Sequence, residues 1–220
     1  AYVPPAGLSN VVGIAAGNGH SLALKTDGKV VAWGSNTSGK TNVPPTLANV
    51  VAVAAGDDHN LALKSDGRVT AWGENANGQA SVPTGLSNVI AIAAGSAHSL
   101  ALRANGTVVA WGRNDFGQAS LPPSLTGVIG ISGGMYHNLA LVGDGSPVIT
   151  IQPVSQSLAL TKDAVFRVFA AGTAPLAYQW SRNGTNLAGA TKSALQLTNI
   201  QFADAGSYRV VITNTSGAVT

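Results

Sequence analysis

Four histidines stand 39 residues apart, at His20, His59, His98 and His137, and three tryptophans keep the same interval at Trp33, Trp72 and Trp111. Imidazole is the commonest general base and metal ligand, so a set of four invites an acid–base centre or a metal site. The interval argues against both. Metal ligands must converge to about 2 Å from one ion. Residues copied at a fixed period belong instead to successive units of a stack. The spacing predicts a structural imidazole, hydrogen-bonded to backbone near the start of a strand. It predicts tryptophans packed between neighbouring units, with sugar stacking as the alternative use of the ring.

The other chemistry-bearing residues fare no better. Asp57-Asp58 is the only adjacent carboxylate pair and occurs in one unit only. A glycosidase needs two carboxylates held about 5–10 Å apart across a cleft, and no second partner is visible. Gly133-Gly134 lacks the lysine of a phosphate loop. The chain has no cysteine, which removes thiol nucleophiles and disulfide frameworks. The sequence therefore predicts no enzyme, no cofactor and no metal.

What must position these residues is a repeat. AAGNGHSLALKTDGKVVAWG, from Ala15, returns as AAGDDHNLALKSDGRVTAWG from Ala54 and AAGSAHSLALRANGTVVAWG from Ala93. A shortened copy, SGGMYHNLALVGDG, begins at Ser132. Each unit offers four extended pieces, in the first VVGIAA, SLALK, VVAWG and TNV. The middle two flank Asp27-Gly28, Asp66-Gly67 or Asn105-Gly106, a strong hairpin signal because the turn needs positive φ. The fourth piece meets proline at Pro44, Pro83 and Pro122, which suits an outer edge or exit turn. Nothing has helical periodicity. Four-stranded units of roughly 40 residues point to an all-β fold, a β-propeller of packed blades.

The Gly-x-x-His-x-x-Ala-Leu core (Gly17, His20, Ala23, Leu24 and copies) and Trp72-Gly73 with Asn75, Gly78 and Gln79 resemble the regulator of chromosome condensation repeat family. The short period and Val-Pro linker look most like the bacterial branch that contains the propeller-type β-lactamase inhibitor. The resemblance covers residues 1–146 and implies a propeller, usually seven-bladed, whose last blade is completed by pairing the chain's start with its end. Here there are three full units, an inner half-unit at 127–146 and an outer fragment at 1–9. The expectation is a segment of a longer protein. Further repeats of that chain, or self-association, would close the ring.

Pro147 interrupts the fourth unit, and residues 147–220 form a second domain. Trp180, Leu195 and Asp204-x-Gly206-x-Tyr208 resemble an immunoglobulin-like β-sandwich. In that fold a Trp packs on an inter-sheet disulfide and a Tyr sits two residues before the second Cys. The resemblance puts Val168 and Val210 in the two Cys positions. The last strand would begin near Ala218.

Composition narrows the function classes. Hydrophobic residues are 45% and charged residues only 10%, so the surface is built from Ser, Thr, Asn, Gln and Gly. That suits an extracellular bacterial β-protein. A net charge of +3 without a Lys/Arg run gives little support to nucleic-acid binding, and no apolar run reaches the roughly 18 residues of a membrane span. Function is then sought where the units differ, since variable loops on a rigid scaffold carry specificity. The first turn and the loop after the third strand fall on one face of a blade. Their candidate contacts are Tyr136, Met135, Phe116, Arg113, Asp115, Asp57, Asp58 and Glu74. The expected function is a non-enzymatic module of a secreted or cell-surface protein, binding a protein or glycan and serving adhesion. Enzyme inhibition of the β-lactamase-inhibitor kind is the alternative, weakened by the scarcity of aromatic residues in the first turns.

Overall fold

A computed structural model describes residues 3–220. The chain divides into two compact units, the first ending at Val142 and the second running Gly143–Thr220. The first is three antiparallel meanders and a hairpin: β1 (Val11–Ala16), β2 (His20–Lys25) and β3 (Val30–Gly34); β4 (Val50–Ala55), β5 (His59–Lys64) and β6 (Val69–Gly73); β7 (Val89–Ala94), β8 (His98–Arg103) and β9 (Val108–Gly112); then β10 (Val128–Gly133) and β11 (Asn138–Val142). Registers repeat with the period: Asn60 faces Trp72 as Ser99 faces Trp111. The first strand of every sheet carries a register shift at one place, between Val11 and Gly13 and its copies.

Each of the three full repeats forms a three-stranded sheet where the repeat pattern gave four extended pieces. The fourth piece, Thr41–Val43 in the first repeat, carries no strand. Its physical reason lies just before it. Thr37–Gly39 forms a 3-10 turn, and the Asn36 side-chain oxygen accepts from the Thr41 N–H at 3.0 Å. Asn75 and Asn114 clamp Ala80 and Ala119 in the same way, at 2.9 and 2.8 Å. Asparagine thus takes the N–H that a fourth ladder would need, and proline follows. Of the fragment expected at 1–9, residues 1 and 2 lie outside the described residues and 3–9 carry no strand.

Sheets are joined through the β2–β3 turn and its copies. Val50 donates to the Gly28 carbonyl at 3.1 Å, Val89 to Gly67 at 3.1 Å and Val128 to Gly106 at 3.2 Å. The glycines sit at φ 74–77°, which their asparagine- or aspartate-bearing turns require. A Cβ at Gly28 would also stand 3.2 Å from the Asn49 Cα of the next repeat. Between the first two sheets the core joins Leu22 and Leu24 to Val50, Ala62 and Trp72.

The second unit contains β12 (Val148–Ile151), β13 (Ala164–Arg167), β14 (Phe169–Ala171), β15 (Ala177–Arg182), β16 (Thr185–Asn186), β17 (Ala194–Leu197), β18 (Tyr208–Asn214) and β19 (Gly217–Val219). One four-stranded sheet, β16-β15-β18-β19, opposes the pairs β12-β14 and β13-β17. Val168 and Val210 lie in one buried cluster with Trp180, Leu195 and Ile212, so two branched aliphatics fill the space between sheets. Tyr208 donates its hydroxyl to the Asp204 carbonyl at 2.6 Å, the corner bond of immunoglobulin sandwiches.

Candidate binding face of the repeats

The repeated histidines are donors to the next repeat. The Nε2 of His20 lies 2.7 Å from the Asn60 side-chain oxygen, while the Asn60 amide donates to the Lys40 carbonyl at 2.8 Å. His59 Nε2 bonds Ser99 Oγ at 2.9 Å, and that hydroxyl donates to the Gln79 carbonyl at 2.8 Å. His98 Nε2 meets the Asn138 oxygen at 2.7 Å, and Asn138 donates to the Gln118 carbonyl at 2.6 Å. Because each partner oxygen must accept, all three imidazoles carry the proton on Nε2. Their Nδ1 atoms are buried without a hydrogen-bond partner. The expectation of a bond to backbone is therefore corrected: the imidazole reaches a side chain forty residues on, and that side chain holds the backbone. His137 begins no such relay and is exposed.

The tryptophans finish the same joints. Trp72 Nε1 donates to the Lys40 carbonyl at 3.1 Å and Trp111 Nε1 to the Gln79 carbonyl at 3.0 Å. Both rings are buried between sheets, whereas Trp33 is half-buried. The position one period before Lys40 is residue 1, outside the described residues. Gly56 is explained by this joint: a Cβ there would lie 2.3 Å from His59 Cε1 and 2.5 Å from the Gly95 carbonyl oxygen. Burial, with the nearby His98, pushes the His59 pKa down to about 4; Asp57 and Asp58 act against the shift.

The two variable loops do meet at each repeat. Ser35 donates to the Gly19 carbonyl at 2.7 Å, Glu74 to Asp58 at 2.8 Å and Arg113 to Ala97 at 2.9 Å. Three of the eight candidate contacts serve the joints between repeats. Asp58 accepts from Lys40 Nζ at 2.5 Å; that side chain is only 4% exposed and also donates to the Asn18 carbonyl at 2.7 Å. Asp57 accepts from the Ser96 hydroxyl, and its N–H donates to the Ser96 carbonyl at 3.1 Å. Glu74 accepts from Ser38 at 2.7 Å and from the Ala76 N–H at 2.8 Å, which hold its carboxyl below the usual glutamate range.

The other five gather at the third and fourth repeats. The rings of Phe116 and Tyr136 lie 4.8 Å apart at 50°. The Arg113 guanidinium sits 5.6 Å from the first ring and 5.8 Å from the second, and Nε of Arg113 donates to Asp115 at 2.6 Å. Phe116 is 63% exposed and Tyr136 41%, and Met135 beside it is exposed. Such a group offers two ring faces, a cation and a carboxylate to solvent, with the guanidinium held near both rings and bonded to Asp115. Sequence reasoning missed the joint role of Lys40, Gln79 and Gln118, whose carbonyls are the hubs; the signal was their own 39-residue spacing. Among the described residues no cluster of three or more His, Cys, Asp or Glu side chains could hold a metal ion, and no helix is long and apolar enough to cross a membrane.

Comparison with known proteins agrees with this architecture. The regulator of chromosome condensation (RCC1) repeat matches residues 11–40, 50–79 and 89–118, and the immunoglobulin domain matches residues 146–214. The structure is similar to Prp20p of Saccharomyces cerevisiae, described with its binding to Gsp1p and histones, at a TM-score of 0.57 and 24% identity over 66% of this chain and 46% of that one. Yeast RCC1 (Prp20) bound to Kap60 gives 0.55 and 25% identity over 66% and 44%. The CRINKLY WD40 ectodomain of the Arabidopsis thaliana receptor kinase ACR4 gives 0.50 and 20% over 75% and 54%. Endoglucanase C of Cellulomonas fimi is 36% identical over 78 residues, 34% of this chain and 7% of that protein. The chain thus spans little of that enzyme and about half of the propellers it resembles. It carries three RCC1 repeats of an all-β propeller architecture, followed by an immunoglobulin-like domain.

Proposed function

We propose that this chain is a non-enzymatic binding module of a secreted or cell-surface bacterial protein, and that its first partner is another protein. The observation that carries the reading is the exposed Phe116–Tyr136 pair with Arg113 beside it. Aromatic and arginine side chains dominate the energetics of protein interfaces. The repeats otherwise spend their polar side chains on one another, which leaves this cluster as the departure from sameness. Protein partners of the related propellers, Gsp1p, histones and Kap60, support the class of ligand without naming it. The low charge and absence of cysteine support an extracellular bacterial setting. The immunoglobulin-like domain then serves as spacer or second adhesive unit.

A glycan is the second reading, favoured by the open ring faces and by the stretch shared with an endoglucanase. The test is a binding panel read with the intact protein and with Phe116→Ala/Tyr136→Ala: surface-protein extracts of bacteria, insoluble polysaccharides, and a class A β-lactamase assayed for inhibition. The reading expects capture of a defined protein that the double variant loses at least tenfold. Retention on polysaccharide alone moves the ligand to glycan. Inhibition of the β-lactamase moves it to the inhibitor alternative. Binding unchanged in the double variant rejects the site.

A further inference from the structure

Asn-Gly occurs four times in this chain, at Asn18-Gly19, Asn77-Gly78, Asn105-Gly106 and Asn183-Gly184. Asparagine is thermolabile, and a glycine after it lacks the side chain that would shield the next backbone nitrogen. That nitrogen can attack the asparagine Cγ and close a cyclic imide. Two restraints in a fold oppose the attack. One is a hydrogen bond that occupies the glycine N–H; the other is a hydrogen bond that pins the asparagine side-chain oxygen.

Three of the four pairs carry at least one restraint. The Gly78 N–H donates to the Asn75 carbonyl at 2.9 Å. The Gly106 N–H donates to the Arg103 carbonyl at 2.9 Å, and the Asn105 side-chain oxygen accepts from the Thr107 hydroxyl at 2.7 Å. The Asn183 side-chain oxygen accepts from the Ser207 N–H at 2.9 Å. Asn18-Gly19 carries neither: among the described residues no hydrogen bond reaches the Asn18 side chain or the Gly19 N–H. Both residues are exposed in the turn between β1 and β2, where Gly19 takes a φ of 77°.

The same turn belongs to the first joint. The Asn18 carbonyl accepts from Lys40 Nζ at 2.7 Å, and the Asn18 N–H donates to the Asp57 carbonyl at 3.1 Å. One period on, the Asp57 N–H donates to the Ser96 carbonyl and the Asp57 carboxylate accepts from the Ser96 hydroxyl. A carboxylate created at residue 18 would therefore meet Asp57 where Asp57 meets a hydroxyl.

We propose that Asn18 is a site of spontaneous deamidation, the one Asn-Gly pair that folding leaves reactive, and that its conversion loosens the joint between the first two repeats. The Gly19 nitrogen, its proton passed to water, forms a bond to Asn18 Cγ. The Cγ–Nδ2 bond breaks and ammonia leaves. Water then opens the imide at either carbonyl, so the balance is a water consumed and an ammonia released. Opening at the side-chain carbonyl restores the backbone and gives aspartate, which adds negative charge beside Asp57. Opening at the backbone carbonyl gives isoaspartate and lengthens the chain in the turn that holds Lys40, a side chain only 4% exposed.

The test incubates the intact chain in mildly alkaline buffer and maps it by mass spectrometry for peptides whose side-chain amide has become a carboxyl. Asn18 should convert at least tenfold faster than Asn77, Asn105 and Asn183. In denaturing urea, where the dipeptides alone act, that gap should close. Asn18→Gln, whose longer side chain cannot close the same ring, should stop the reaction at this position. The converted fraction, separated by its added negative charge, should exchange the amide hydrogens of β2 and β4 at least tenfold faster, while Asn18→Gln incubated alongside should not change. Conversion of any other of the four as fast as Asn18 in the folded chain overturns the proposal. So does a tenfold lead for Asn18 that persists in urea, because the fold would then not set the choice. Unchanged exchange in the converted fraction overturns the coupling to the joint.

Discussion

Asn60→Ala removes the centre of one joint and should cost the repeats about 3 kcal/mol. Asn60 is fully buried, accepts from His20 at 2.7 Å and donates to the Lys40 carbonyl at 2.8 Å. Each such bond contributes about 1 kcal/mol net, and a buried N–H left without an acceptor costs about 1–3 kcal/mol more. The His20 Nε2–H would be left so; the Lys40 carbonyl keeps the Trp72 indole at 3.1 Å. Asn60→Ser is the internal control, because Ser99 fills the same place in the next joint at 2.9 and 2.8 Å. Its cost should stay near 1 kcal/mol, since the cavity is small and both bonds can re-form. Native-state hydrogen exchange of β4, β5 and β6, read separately from the second unit, measures both. Alanine should raise the open population of these strands roughly a hundredfold. Equal losses for serine and alanine, or an alanine loss under 0.5 kcal/mol, would refute the relay as a source of stability.

Acid should loosen the same joints. With the folded His59 pKa near 4 against 6.5 in the unfolded chain, the unfolded state takes the proton first as pH falls. Stability is therefore intact above about pH 6.5, declines between 6.5 and 4, and levels off below, losing about 3 kcal/mol in all. Urea titrations of the repeats at several pH values check this, and His59→Gln should flatten the profile. Gly56→Ala should destabilise by about 1–3 kcal/mol, because its Cβ meets His59 Cε1 at 2.3 Å and backbone at 2.5 Å; a shift in melting temperature below one degree would contradict it. Tyr208→Phe removes the 2.6 Å bond to Asp204 and should cost the second unit about 1 kcal/mol without affecting the repeats. Exchange protection of β18 reads that loss.

Much of the architecture could be read from residues alone, and the misses share one cause. Alternating strands, Asp-Gly and Asn-Gly turns, and Trp180 with Val168 and Val210 depend on local pattern or a fixed spacing, and they stand where expected. The fourth strand failed because asparagine side chains, rather than a neighbouring strand, satisfy the linker N–H groups. The histidine partner could not be read from one repeat, since it belongs to the following one. For the same reason Asp57, Asp58 and Glu74 looked like free loop carboxylates while their partners Ser96, Lys40 and Ser38 sit in other segments. Phe116 and Tyr136 were visible as single aromatics; their contact needs two repeats side by side. Residues identical across a period show that an interface exists, and only geometry shows which atoms meet.

The central claim is that the recurring imidazoles fasten each repeat to the next. Long-range proton–nitrogen NMR correlation of the histidine rings at pH 7.5 tests it directly. The account predicts that His20, His59 and His98 are Nε2–H tautomers with slowly exchanging ring protons, whereas the His137 ring proton exchanges freely. Fast exchange at all four rings, or Nδ1–H tautomers at the three buried ones, would contradict it.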